Sequence, residues 1–400
     1  MSSTDRILTT HTGSLPRPAD LTELIVKRDR EELDAAAAAR LPDMIKAAVA
    51  GVVHRQIETG IDIISDGEMS KIGYGTYVKD RLTGFDPTAQ EPEGAPLMVA
   101  DLFDYPQLLA KSLAGIARLE KHDDTTSVEM EFATPACVAD IHYKGAALLE
   151  EDLANFAAAI SDQPHTRRFM NAASPGVIAL WLPNRYYRSE DDYIFALAEA
   201  MRTEYEAIVN AGLTLQIDAP DLAMGRHTGR DIAGLSEQEF LRRLEVHVDA
   251  INQAVTNIDP AKMRVHLCWG NYPGPHHHDI ELEKIIGAVL RLRPHGIVFE
   301  AANPRHIHEV DVWKDTTIPE DKVLYPGVLD TCSVYIEHPK AVAARIIAFA
   351  DIVGRDRVIP GSDCGFATFA TYMAVDPEIA WAKLHALVIG AQLATEQLWP

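Results

Sequence analysis

The sequence has few cysteines and no long apolar run. Only 4 of its 400 residues are cysteine, too few and too scattered for the disulfide framework of a small secreted domain. No stretch of about 18 apolar residues is present, so we expect no membrane span. The first residues also lack the apolar core of a signal peptide. These absences predict a protein of the reducing cytoplasm.

Basic residues are scarce relative to acidic ones. The chain has 37 Lys and Arg against 59 Asp and Glu, which gives a formal net charge of −22. Nucleic acids and anionic membrane surfaces attract basic patches, so we expect neither as a partner. Hydrophobic residues make up 47% of the chain, which is ample for a core. α/β barrels commonly occupy such a length as one domain.

A histidine and a cysteine stand two residues apart in the apolar run that ends at Trp269. Because side chains alternate between the two faces of a strand, His266 and Cys268 point to the same face. An imidazole and a thiolate together suit Zn²⁺. Taken alone, the pair is explained more simply by core packing, since free cysteine is among the most buried residue types.

Two further strand-like segments end in groups that bind zinc. Residues 296–299 lead to a glutamate, and residues 358–362 lead to a cysteine in a glycine-rich turn. A parallel α/β barrel carries its chemistry at the carboxyl ends of its strands. We therefore expect these groups to meet the His-x-Cys pair in one tetrahedral zinc site. The predicted metal ligands are His266, Cys268, Glu300 and Cys364.

Strand-like and helical segments alternate along the chain, and this predicts a (β/α)8 TIM barrel. The strand-like segments are 7–10, 61–68, 167–172, 213–220, 264–268, 296–300, 323–330 and 358–364. We expect a single domain over 1–400, with an elaborated insertion at about 72–140 after strand two. This insertion is interpreted as an arm that covers the barrel mouth or forms a subunit contact, and the latter would make the protein a homo-oligomer.

The motifs resemble those of the cobalamin-independent methionine synthase family, in its C-terminal catalytic domain type, and of half-length relatives such as epoxyalkane:coenzyme M transferase. The resemblance rests on His-x-Cys, the strand-end Glu and the segments 12–18, 66–68, 216–218, 327–330 and 363–365, in the family's order. It implies a zinc-dependent S-alkyltransferase that moves a methyl or small alkyl group from a small-molecule donor to a zinc-activated thiol such as homocysteine.

The resemblance also implies roles for loop and strand-end side chains. The loop at 12–18 would hold the amino-acid part of the thiol, and Glu68 and Asp218 would face its ammonium group. Arg17 is explained equally well as a solvated residue of a Pro-rich connector, and Glu68 as a charge at a helix start. Trp181 would stack on the pterin of a methyl donor, or is ordinary core. The predicted substrate-binding residues are His11, Gly13, Ser14, Arg17, Glu68, Trp181 and Asp218.

The general acid has two interpretations. Methionine synthases commonly carry a histidine where this chain has Cys332, and the next histidine is His338. Either His338 protonates the leaving group, or the acid comes with the substrate. The predicted catalytic residues are His338, Asp218 and Glu68.

Three features argue against ordinary folate-dependent methionine synthesis: Cys332, Ala219 in place of the family's usual Glu, and the lack of a second synthase-like half. Epoxide opening by a thiol therefore remains an alternative. Hydrolysis by a zinc-bound hydroxide is a further alternative, which two thiolate ligands disfavour. A zinc-storing binding protein is a third, which the strand-end carboxylates disfavour.

Overall fold

The structure, a computed structural model, describes residues 5–89, 98–110, 135–162, 167–229 and 235–400. Its strands are β1 Ile63–Ile64, β2 Phe85–Asp86, β3 Met98–Val99, β4 Ala136–Cys137, β5 Arg167–Ala173, β6 Thr214–Asp218, β7 Thr228–Gly229, β8 Met263–His266, β9 Gly296–Phe299, β10 Val323–Leu329 and β11 Gly361–Ser362. Seven of them form one curled sheet in the order β1-β5-β6-β8-β9-β10-β11, and each neighbouring pair is parallel.

Helices connect the parallel strands on the outside of this sheet. They are α1 Ala19–Asp29, α2 Ala35–Thr59, α3 Ala100–Phe103, α4 Ala146–Ala159, α5 Pro175–Trp181, α6 Glu190–Asn210, α7 Glu237–Ala254, α8 Leu282–Val289, α9 Val310–Asp315, α10 Pro339–Val353 and α11 Pro377–Leu398. Several begin at residues that predict a helix start, such as Ser236, which forms a capping box with Glu239. None of the helices in the described ranges is both long and apolar enough to cross a membrane.

The central strands are buried along their whole length. Every residue of β6, β8, β9 and β10 is buried, as expected for parallel strands that are covered on both faces. This explains why these segments read as nearly continuous apolar runs rather than as clean alternation. The few polar side chains inside them, such as those of Gln216 and Arg264, are therefore expected to make specific hydrogen bonds.

The segment predicted as the first strand joins the two edges of the sheet. Residues 7–10 are not assigned as a strand, but Thr10 N donates to Pro360 O at 3.0 Å, just before β11. On the other side, Ile63 N in β1 donates to Thr9 O at 3.0 Å. Together with the parallel sheet, these bonds give a TIM-barrel-like α/β fold, which confirms the predicted fold class.

The predicted insertion lies partly outside the described residues, because 90–97 and 111–134 are not described. That includes most of the stretch near 127–138 that the sequence suggests is rich in strand. In the described part, β3 pairs antiparallel with β7, and β2 pairs antiparallel with β4. Ala100 N donates to His227 O at 2.9 Å. The organisation as one domain with an insertion stays a prediction.

His11 is buried beside the segment that closes the barrel. Its Nε2 donates to Gln56 Oε1 at 2.7 Å, and its Nδ1 accepts from Gly13 N at 3.2 Å. These two bonds require a neutral imidazole with the proton on Nε2. Burial lowers the pKa of His11 from 6.5 to about 3, although the bond to Gln56 opposes this.

We expect His11 to make the protein acid-sensitive. In the unfolded chain its imidazole takes up a proton near pH 6.5, whereas the folded chain keeps it neutral, so the free energy of unfolding falls as the pH drops. At pH 5 the loss is about 2 kcal/mol. Urea unfolding of wild type and His11→Gln at pH 7.5 and pH 5 should show a smaller pH effect in the variant. His54→Gln, on an exposed part of α2, is the matched control, and an equal pH effect in wild type and His11→Gln would contradict the prediction.

Candidate metal centre

Strand β8 and the turn after β11 bring three metal-binding donors together. One donor atom each of His266, Cys268 and Cys364 lies within 4.8 Å of the others, and all three residues are buried. The two Sγ atoms are 3.8 Å apart, and both cysteines are free thiols. Two sulfur ligands at about 2.3 Å from a tetrahedral zinc ion are separated by about 3.8 Å. The spacing therefore fits two ligands of one zinc ion.

Asp218 orients the imidazole of His266. The Nδ1 atom lies 3.4 Å from Asp218 Oδ1, while Nε2 is buried and makes no hydrogen bond to any described residue. Metal-binding histidines commonly turn one ring nitrogen to a carboxylate and the other to the metal. Burial lowers the pKa of His266, but the neighbouring Asp218 carboxylate and Cys268 thiol outweigh it and raise the pKa to about 10. The buried nitrogen without a partner, beside two thiols, fits a metal site.

The pKa of each of the two thiols lies above its usual value. The hydrogen bond to Cys364, followed by burial, raises the pKa of Cys268 well above its usual range. For Cys364 the hydrogen bond to Cys268 lowers the pKa, but burial and the charge of Glu300 outweigh it and raise the pKa. A divalent cation between the sulfur atoms would offset the cost of burying two negative charges beside Glu300 and favour both thiolates.

Glu300 follows β9 and lies outside the group of three donors. Its Oε1 accepts from Trp269 N, and its Oε2 accepts from Asn303 Nδ2, both at 2.7 Å. Its charge nevertheless raises the pKa of both cysteines. The structure thus brings together three of the four predicted ligands, with Glu300 beside them and held by two N–H groups. A role as fourth ligand stays a prediction.

Glu68 is a buried carboxylate in a left-handed backbone conformation, with φ of 58°. Its Oε2 makes no hydrogen bond to a described residue, and burial raises its pKa to about 7. Arg17 holds the backbone there, because its Nε and Nη2 donate to Glu68 O at 3.2 and 2.8 Å. Arg17 is 8% exposed, so its interpretation as a solvated residue is wrong. Residues 67–70 form turns, so the helix-start explanation of Glu68 is wrong as well.

Asn171 connects Asp218 to the loop at 12–18. Its Nδ2 donates to Asp218 Oδ2 at 2.8 Å and to Thr12 O at 2.9 Å. Gly13 follows with φ of 149°, and a Cβ there would lie 2.4 Å from Asn171 Nδ2. Only glycine therefore allows this loop to approach the strand end. The loop also reaches the metal centre, because Phe366 N, two residues after Cys364, donates to Ser14 O at 2.9 Å.

Comparison with known proteins identifies the family of this chain. The family model described as cobalamin-independent synthase, catalytic domain, matches residues 104–384. The chain belongs to the cobalamin-independent synthase family. This confirms the family resemblance predicted from the motifs.

Curated relatives match over nearly the full chain. The chain is 26% identical to a methionine synthase of Saccharolobus solfataricus over 408 residues, covering 100% of this chain and 98% of that protein. It is 24% identical to a methionine synthase of Sulfurisphaera tokodaii, covering 98% and 93%. A structure of a B12-independent methionine synthase from Shewanella sp. W3-18-1 in complex with selenomethionine has a TM-score of 0.69 at 17% identity, over 98% of this chain and 99% of that chain. That likeness shows the fold.

Two predicted site residues, Trp181 and His338, lie in a packed aromatic core and on the exposed surface, respectively. Trp181 is buried in α5, and its ring packs edge-on against Tyr74 and Phe369, which agrees with the core interpretation. His338 is exposed and caps α10, where its Nδ1 accepts from Lys340 N at 3.2 Å. The roles of Trp181 in donor stacking and of His338 as an acid stay predictions.

Three further polar residues of the candidate site were not predicted as site residues from the sequence. Lys71 Nζ donates to Asn171 O at 2.6 Å, and Gln216 Nε2 donates to Asp218 Oδ1 at 2.7 Å. Asp363 Oδ1 accepts from the backbone N–H groups of residues 301 and 302, both at 2.9 Å, and so positions the segment after Glu300. The available signal was a polar side chain inside an otherwise apolar strand, which Asn171 and Gln216 both show.

Proposed function

We propose that this synthase transfers a methyl group to a thiol amino acid of the homocysteine type, with His266, Cys268 and Cys364 holding a zinc ion. The observation that carries the proposal is the meeting of these three donors with the buried carboxylates Glu68 and Asp218 at one end of the barrel. When bound, zinc would lower the pKa of the substrate thiol, about 8.5 in water, so that its sulfur attacks as a thiolate at neutral pH.

The carboxylates favour an acceptor with an ammonium group. The charge of Asp218 adds to burial in raising the pKa of Glu68, so a cation between the two carboxylates would relieve an unfavourable interaction. Asp218 is already held by Asn171 and Gln216, whereas Glu68 Oε2 has no partner among the described residues. We infer that Glu68 supplies the free oxygen for the substrate ammonium.

The same charges disfavour a sulfonate thiol such as coenzyme M. The cationic side chains beside Glu68 are Lys71 and Arg17. Lys71 donates to Asn171 O, and Arg17 donates to Glu68 O and Ala367 O. Both cations are thus bound to main-chain oxygens and lie beside the Glu68 carboxylate, whose negative charge would repel a sulfonate. The relatives named methionine synthase, which match over nearly the whole chain, also support homocysteine rather than coenzyme M as the acceptor.

The reaction is testable with the purified protein loaded with zinc. Homocysteine is incubated with methylfolate or methylcobalamin, and coenzyme M with an epoxide, and products are identified by mass spectrometry. We expect methionine, formed as the methyl group replaces the thiol proton on sulfur. A thioether formed only from coenzyme M and an epoxide would contradict the proposal. Hydrolysis of an ester or amide without thiol consumption would favour a hydrolase instead.

A further inference from the structure

A second buried cluster of metal-binding groups lies outside the cysteine centre. One donor atom each of Asp101, His227 and Asp279 lies within 4.8 Å of the others. Their exposed fractions are 0%, 2% and 5%. They come from three separate segments: the start of α3, the residue before β7 and the loop before α8. The cluster contains no sulfur and shares no residue with His266, Cys268 and Cys364.

His227 has unmet hydrogen-bonding capacity inside this cluster. Neither of its ring nitrogens makes a hydrogen bond to a described residue, and Nε2 lies 3.5 Å from Asp279 Oδ1. Burial lowers the pKa of His227, although Asp279 and Asp101 oppose this. A neutral imidazole has one N–H and one lone pair, and the lone pair can bind a metal ion. One ring nitrogen lies within 4.8 Å of an oxygen of each buried carboxylate but forms a hydrogen bond with neither, and a cation between the three groups would satisfy all of them.

Side chains and a backbone N–H around the cluster hold both carboxylates in place. Asp101 Oδ2 accepts from the hydroxyl of Tyr272, and Asp101 Oδ1 accepts from His278 N at 2.9 Å. Asp279 Oδ2 contacts His276 Nδ1 at 3.1 Å and His306 Nε2 at 2.9 Å. Outer hydrogen bonds of this kind orient the ligands of metal sites, and each carboxylate still has a lone pair for a further partner.

We propose that Asp101, His227 and Asp279 bind a divalent first-row transition-metal ion, such as Zn²⁺ or Mn²⁺. One imidazole and two carboxylates are nitrogen and oxygen donors that suit these ions. The neighbouring group of Asp101 with His277 and His278 is the weaker candidate, since both imidazoles already contact the exposed Asp104.

The second ion would link helix α3, which belongs to the predicted insertion, to the loop between Cys268 and α8. Asp101 lies in α3, next to β3, which pairs with β7 just after His227. Asp279 lies in the loop that leads from the cysteine centre to α8. The contacts already present between these segments, such as Ala100 N to His227 O, place the ligands without the ion. Metal binding would then stabilise this junction.

Metal stoichiometry tests this site independently of the proposed reaction. The full chain is stripped with a chelator, reloaded with Zn²⁺, freed of excess ion and analysed by mass spectrometry of the metal. We expect about two equivalents in wild type and about one in either His227→Ala or Cys364→Ser. Asp101→Asn is the second variant at the new site. His54→Ala, at an exposed position of α2, is the matched control and is expected to keep both equivalents. Circular dichroism establishes that each variant is folded.

Cobalt substitution assigns each equivalent to its site. Absorption from sulfur-to-cobalt charge transfer requires thiolate ligands, so it reports only the cysteine centre. We expect this band to persist in His227→Ala and to vanish in Cys364→Ser. A wild type that holds one equivalent, lost in Cys364→Ser, would overturn the second site. So would two retained equivalents in folded His227→Ala and Asp101→Asn.

Discussion

Cys364→Ser is expected to abolish zinc binding at the cysteine centre and to lower the rate of methyl transfer more than about 100-fold, since even residues that only orient a metal ligand contribute about 10- to 100-fold. The physical reason is the loss of one of two sulfur donors that lie 3.8 Å apart. Serine is too weak an acid to replace the thiolate at neutral pH. Zinc per chain, the cobalt–thiolate band and the rate of methionine formation are the measurements.

Cys137→Ser is the matched control for this variant. Cys137 is a free, buried thiol in β4, and its Sγ donates to Ala139 O at 3.4 Å, a bond that a serine hydroxyl can also make. We expect it to retain both the zinc and the cobalt–thiolate band. Equal zinc content in Cys364→Ser and Cys137→Ser would show that Cys364 is not a ligand. Loss of activity in Cys364→Ser with full zinc content would separate the metal assignment from the reaction.

Glu68→Gln is expected to weaken the use of homocysteine by about 30- to 1,000-fold in kcat/KM, because removing one partner of a buried charge pair costs about 2–4 kcal/mol. The substitution keeps the size of the side chain and removes the charge that we assign to the substrate ammonium. The comparison substrate is 4-mercaptobutanoate, which is homocysteine without its amino group. Wild type should strongly prefer homocysteine, and the variant should lose that preference.

The pattern across two substrates distinguishes recognition from general damage. A variant that is merely misfolded loses activity toward both thiols equally, whereas loss of the ammonium partner affects only homocysteine. Glu58→Gln, on the exposed surface of α2, is the control for the same substitution and should behave as wild type. An unchanged preference in Glu68→Gln would falsify the assignment of the ammonium site to this carboxylate.

Much of the barrel is predictable from the sequence because its signals are local. Each of the segments 213–220, 264–268 and 296–300 contains an apolar run of strand length, and the structure has a parallel strand in each. Residues 7–10 read as a strand for the same reason, although the structure uses only their backbone hydrogen bonds to join the sheet edges. A local pattern predicts that a segment is buried and extended. Whether the segment forms a regular set of backbone hydrogen bonds also depends on the neighbouring strands.

The site residues also divide into those that a local pattern predicts and those that only the packing of loops positions. The strand period of two was enough to place His266 and Cys268 on one face, and the turn after the last strand brings Cys364 to them. The orientation of Glu300 was not predictable, because the N–H groups of Trp269 and Asn303 that hold it belong to loops whose course depends on packing. Asn171 has a role only because the loop at 12–18 crosses the end of its strand.

By itself, the sequence determined the fold class, the family and the small set of donors around which the chemistry is proposed, since periodicity and strand-end placement are properties of short segments. The tertiary structure alone decided which of those donors meet, and it brought Asp101, His227 and Asp279 together from segments far apart in the chain. The physical reason is that contacts across a barrel depend on strand register and loop packing, which no short segment of the chain encodes.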